Sequence, residues 1–247
     1  AGKVLTTGAN NVLVGRHAGL DLTTGGNNVF MGYHAGKNGT LAGQNVVIGY
    51  HAGSGDNGDS AWTGDYNVVV GHDAGQKMTG NDSNHNTLLG FETGTAITTA
   101  SSNTGLGREA LKANTTGANN TAVGKRALHT NTTASNNVAV GQAALDANTT
   151  GAANVAVGKD ALTENTTGTQ NVAVGTFAMN NTTTSGNNTA VGYSAMVANS
   201  TGGENTAVGR NALDANTTAS GNTAVGESAL TANTTAAGNT AVGANSL

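Results

Sequence analysis

Hydrophobic and polar positions along the chain repeat one short pattern: an Asn, three residues that are mostly β-branched or apolar, a Gly, a second small apolar pair, then a run of Asn, Thr and Gly. Anchored on the Asn of N-[TV]-x-[VLIM]-G, copies start at Asn11, Asn28, Asn45, Asn67, Asn86, Asn103, Asn120, Asn137, Asn154, Asn171, Asn188, Asn205, Asn222 and Asn239. The spacing is 17 throughout, except for 22 between Asn45 and Asn67 and 19 between Asn67 and Asn86. Seventeen residues are too few for a helix pair or a propeller blade and match one coil of a parallel β-solenoid. The pattern therefore predicts an all-β chain of fourteen coils forming one repeat domain over 1–247, with inserted loops at 54–66 and 79–85.

Each part of the unit has a mechanical role. The triplet, TAV or VLV, is a short strand that pairs with the same triplet one coil on. Gly124, Gly141, Gly158, Gly175, Gly192, Gly209 and Gly226 close their strands where the chain must turn with positive φ or pass close to another backbone. Asn120, Asn137, Asn154, Asn171, Asn188, Asn205 and Asn222 form an amide ladder, each bonding to its copy about 4.8 Å away. The NTTG stretch is the turn.

Alternation along the strand puts its first and third residues on one face and its middle residue on the other. The middle column is Leu13, Phe30, Val47, Val69 and Leu88, then Gly105, then Ala in the remaining copies. With both faces apolar, this column is expected outside the coil, as an interface with other chains.

The unit NTAVGxxALxxNTTGxxN resembles repeats in tail-fibre-type proteins of bacteriophages and prophages and in related bacterial surface proteins. It is also similar to, though longer than, the NSVAIGxxS repeat in the heads of trimeric autotransporter adhesins. The resemblance covers residues 11–247 and is closest from Asn103 onward. It implies a trimer of parallel, left-handed β-rolls, with Asn188, Val191 and Gly192 at matching motif positions.

Composition changes the picture mainly by exclusion. Charged residues make up 10% of the chain and aromatics 3%, with no proline and no cysteine. That charge is well below the roughly 25% of an ordinary soluble domain, yet the absence of proline argues for ordered repetition over disorder. Ten Lys and Arg against a net charge of −4 leave no basic stripe for nucleic acid. No apolar run is long enough for membrane insertion as a helix. No nucleophile motif, phosphate loop or metal-ligand cluster stands out from the repeat, so the expectation is a non-enzyme without cofactors.

Four features could carry binding. The insertion SGDNGDSAWTGDY holds Trp62, Tyr66, Asp56 and Asp59, residue types that suit a glycan or calcium but also a solvated bulge. Tyr33 and Tyr50 offer a second aromatic face for a glycan. His17, His34 and His51 share one phase with His72 one step earlier, which is a surface column or a metal- or pH-sensing one. The NTT runs at Asn114, Asn131, Asn148, Asn165, Asn216 and Asn233 fit both glycosylation acceptors and plain turns, and their Thr columns raise a weaker ice-binding alternative.

The first and last residues stand at the same phase of the repeat, as expected of a piece of a longer shaft or of subunits stacking head to tail. The reading is a self-assembling shaft or filament subunit, extracellular, at a cell surface or on a virion. Its partners are copies of itself, as a homotrimer or a head-to-tail filament, and in the rival reading a surface glycan.

Overall fold

A computed structural model describes residues 1–55, 61–80 and 82–247. The chain clusters into two compact units, one of residues 1–126 with 131–133, the other of residues 127–130 with 134–247. Both are parallel β-solenoids, as the period predicts. The first unit carries β1 (Val12–Val14), β2 (Val29–Met31), β3 (Val46–Ile48), β4 (Val68–Val70), β5 (Thr87–Leu89), β6 (Thr104–Leu106) and β7 (Thr121–Val123). The second carries β8 (Val138–Val140), β9 (Val155–Val157), β10 (Val172–Val174), β11 (Thr189–Val191), β12 (Thr206–Val208), β13 (Thr223–Val225) and β14 (Thr240–Val242). In each unit the strand order is the chain order and the register is one full repeat, for example Val12 beside Val29 and Ala173 beside Ala190.

The longer spacings do not break this register. Val46 still pairs with Val68 across the 22-residue coil, and Val68 with Thr87 across the 19-residue one.

The face assignment from alternation is inverted. Phe30, Val47, Val69 and Leu88 are fully buried and Leu13 packs against the same cluster, so the column expected at an interface is the core of the first unit. The outer face is made by the first and third strand residues, among them Val12, Val14, Met31, Val68, Leu89 and Leu106. Alternation defines two faces without saying which is inside; a second column decides it. Where the strand's middle residue is large, the position six residues later is Gly (Gly19, Gly36, Gly53, Gly75, Gly94). Where the middle residue is Gly105 or Ala, that later position is Leu111, Leu128, Leu145, Leu162, Met179, Met196, Leu213 or Leu230, nearly all fully buried.

These two columns meet inside the coil and share one volume. A Cβ on Gly36 would lie 2.6 Å from the Phe30 ring, and one on Gly75 would lie 3.2 Å from Val69. Because interiors are packed near crystal density, one large residue across these two positions is what their shared volume admits.

The swap has a conformational cost. Leu145 and Leu162 hold φ of 53° and 51°, a left-handed conformation that Gly adopts freely but that costs other residues about 1–2 kcal/mol. Burying a leucine returns roughly 1.5–3 kcal/mol, so the exchange is tolerable. Ala143 and Ala153 in the same coil are also left-handed, and these corners bend the chain round.

Candidate functional site

Inside both units the repeated asparagines form a cross-braced ladder. In the first unit, the backbone N–H of each repeat Asn donates to the side-chain Oδ1 of the Asn one coil earlier at 2.8–3.0 Å, from Asn28 on Asn11 through Asn120 on Asn103. In the second, Asn154 to Asn239 do the same at 2.9–3.1 Å. The Nδ2 of the same residues reaches across the interior to the turn carbonyl ahead, as from Asn154 to Gly168 at 2.8 Å and from Asn205 to Ala219 at 2.8 Å. From Asn28 to Asn222 the ladder residues are buried, and nearly all their side-chain polar atoms are used in holding neighbouring coils together, Asn222 Nδ2 being the exception among the described residues.

A second ladder was legible only as turns. Asn114, Asn131, Asn148, Asn165, Asn199 and Asn216 are also fully buried. Asn131 donates to Asn114 at 2.8 Å, Asn165 to Asn148 at 2.9 Å and Asn216 to Asn199 at 2.9 Å. A side chain so enclosed cannot accept a glycan, which removes the acceptor reading for the five buried NTT asparagines. Of the two threonines that follow, the first turns inward to a carbonyl, as Thr149 Oγ1 does to Thr166 at 3.0 Å, and the second stands exposed.

The turn glycines satisfy both reasons given for them. Gly124, Gly141, Gly158, Gly175, Gly192, Gly209 and Gly226 have φ between 130° and 143°. A Cβ on Gly158 would sit 2.5 Å from the Gly175 carbonyl oxygen, and one on Gly226 would sit 2.5 Å from that of Gly243.

Of the residues chosen in the insertion, the two aromatics are described, and they do not come together. Trp62 is fully buried, tilted against Phe30 with ring centroids 6.3 Å apart, and bridged to the backbone of Gly39 and Gly80. It fills the core of the overlong coil, where Gly39 leaves it room: a Cβ there would meet the indole at 3.2 Å. Its Nε1 has no hydrogen-bond partner among the described residues. Tyr66 instead lies outside, half exposed and stacked on His85 at 5.0 Å, so the two aromatics do not form one platform. Asp56 and Asp59 lie outside the described residues.

What the first unit does assemble is a double stack of rings along one corner. His17, His34 and His51 stack with centroids 5.0 Å apart. Beside them run Tyr33, Tyr50, His72 and Phe91, with centroid spacings of 5.2, 4.9 and 5.4 Å. Arg16 lies 5.8 Å over the Tyr33 ring at one end and Arg108 lies 5.7 Å over Phe91 at the other. Each is within cation–π range. The faces of Tyr33 and Tyr50 are taken by neighbouring rings, leaving edges rather than the open platform a sugar would need. Burial and the nearby charges of His51, Lys37, His17 and Arg16 together lower the pKa of His34.

Among the described residues, no three His, Asp or Glu side chains are placed to hold a metal ion. No protein-family model matches the chain, and no significant match is found to a curated protein or a solved structure.

Proposed function

We propose that this chain is a non-enzymatic structural protein, a self-assembling β-solenoid shaft or filament subunit of an extracellular fibre or phage tail-fibre-like appendage. The observation that carries this reading is the outer sheet face. In every coil its two outward positions hold only Val, Ile, Leu, Met or Thr, and no charge interrupts it from β1 to β7 or from β8 to β14. In the first unit Val12, Val14, Met31, Val68, Leu89 and Leu106 are each more than a third exposed. Together they present on the order of 400 Å² of apolar surface, a size at which the largest apolar patch of a monomer is often functional.

A second copy of the chain suits this face for a geometric reason. Its side-chain columns repeat at the coil rise, and another copy presents columns of the same pitch, so sheet can pack on sheet along the length of the face. The buried ladders inside the coils supply stiffness along the axis, and the outer columns supply association between chains.

Val191→Asp combined with Val208→Asp tests this directly. Both residues are 37% exposed, so the double variant is expected to keep the β-sheet circular-dichroism signal, with a lower melting midpoint because the two carboxylates stand on directly paired positions. Its sedimentation coefficient should fall to that of a monomer. A variant that sediments like the parent protein would remove the outer face as the assembly surface.

A further inference from the structure

The ring stack of the first unit holds an arrangement that the structural reading does not use. His17 Nδ1 and His34 Nε2 lie 2.8 Å apart, a hydrogen bond in which one imidazole donates and the other must accept. A protonated imidazole has two N–H groups and no acceptor. Both rings therefore cannot be protonated at this distance: two donors would face each other.

The surrounding charges add to the conflict. His34 is stacked between His17 and His51, with Arg16 and Lys37 as further cations bearing on it. Among the described residues, the carboxylate set against the stacked imidazoles is Asp73, 3.0 Å from His72 Nδ1 and 3.9 Å from His51 Nδ1. Glu92, one coil on, is already held by Lys112 at 2.6 Å. His17, His34 and His51 are also left-handed at φ 61°, 59° and 52°, so ring stacking holds a backbone that is costly on its own.

We propose that this imidazole column is an acid-sensitive switch, which stacks while its rings share protons and loosens the coils of residues 12–55 when they are all protonated. The sign follows from proton linkage. The His34 pKa is lower in the fold than in the unfolded chain, so the unfolded chain binds more protons between the two values. Stability contributed by the neutral ring is present above about pH 6.5, the unfolded value, and is lost as pH falls from there through the folded value. The second unit provides an internal control, since its β8–β14 coils contain no histidine stack.

The test follows histidine Cε1–H resonances and amide exchange of the full chain from pH 8 to pH 5. Expected are a midpoint for His34 displaced below the free-imidazole value, and a loss of protection of tenfold or more over residues 12–55, after correction for intrinsic exchange. Residues 154–213 should keep theirs. The combined variant His17→Asn, His34→Asn and His51→Asn retains a residue that accepts the left-handed backbone, and should lose the pH dependence. A His34 midpoint at or above the free-imidazole value, or protection over 12–55 unchanged at pH 5, would overturn the proposal; the titration needs only the unaltered protein.

Discussion

Replacing Gly158 by alanine is expected to destabilise the second unit by about 3 kcal/mol or more, because two penalties fall on one residue. The backbone there has φ 139°, which side chains rarely adopt, and the added Cβ would lie 2.5 Å from the Gly175 carbonyl oxygen. That oxygen belongs to the next coil's copy of the same turn, so moving it disturbs the following contact in turn. Gly238→Ala is the matched control: φ is 73° there, and no atom lies within 4 Å of the added carbon. Only the conformational term remains, about 1 kcal/mol. Denaturant midpoints for the two variants should therefore differ clearly; equal midpoints would mean that the close approach between coils is not what requires glycine.

Asn171→Ala is expected to cost about 2–6 kcal/mol, the penalty for leaving two buried polar groups unpaired at roughly 1–3 each. Asn171 Oδ1 accepts the Asn188 backbone N–H at 3.1 Å, and its Nδ2 donates to the Ser185 carbonyl at 2.8 Å. Alanine removes the amide from both partners in the interior. Because coils are stabilised mainly by their neighbours, one missing rung should lower protection on either side of it. Thr167→Ala, on the exposed column of the same turn, should stay within about 0.5 kcal/mol. Comparable losses from the two changes in thermal melts would contradict the ladder as a main source of cohesion.

Much of this architecture is readable in the sequence because a fixed period constrains it. Strand positions, parallel register, the turn glycines and the first Asn ladder all follow once the Asn starts are aligned. Orientation did not follow, because Val flanking Ala, as in Val172, Ala173 and Val174, suggests by size alone that the valines are inside. The reciprocal columns carry the missing signal: Leu88 with Gly94 gives way to Gly105 with Leu111, so the large residue moves from strand to corner while the volume stays occupied.

Trp62 misled for a related reason. A lone aromatic among Gly and Asp looks exposed, and only the extra room of a 22-residue coil, with Gly39 and Gly53 beside the indole, lets it turn inward. The buried NTT asparagines share their sequence with an ordinary polar turn. Their ladder shows only in three dimensions, where the same column carries Leu22, Met78 and Ile97 in earlier coils.

Closed, internally braced coils are expected to associate through an uncharged outer face. Light scattering across a concentration series, with electron-microscope images of the same samples, tests it most directly. The expected result is association: one species near three times 24.1 kDa, about 72 kDa, seen as short rods, or a mass that climbs with concentration, seen as threads. A constant mass of 24.1 kDa at every concentration would contradict it.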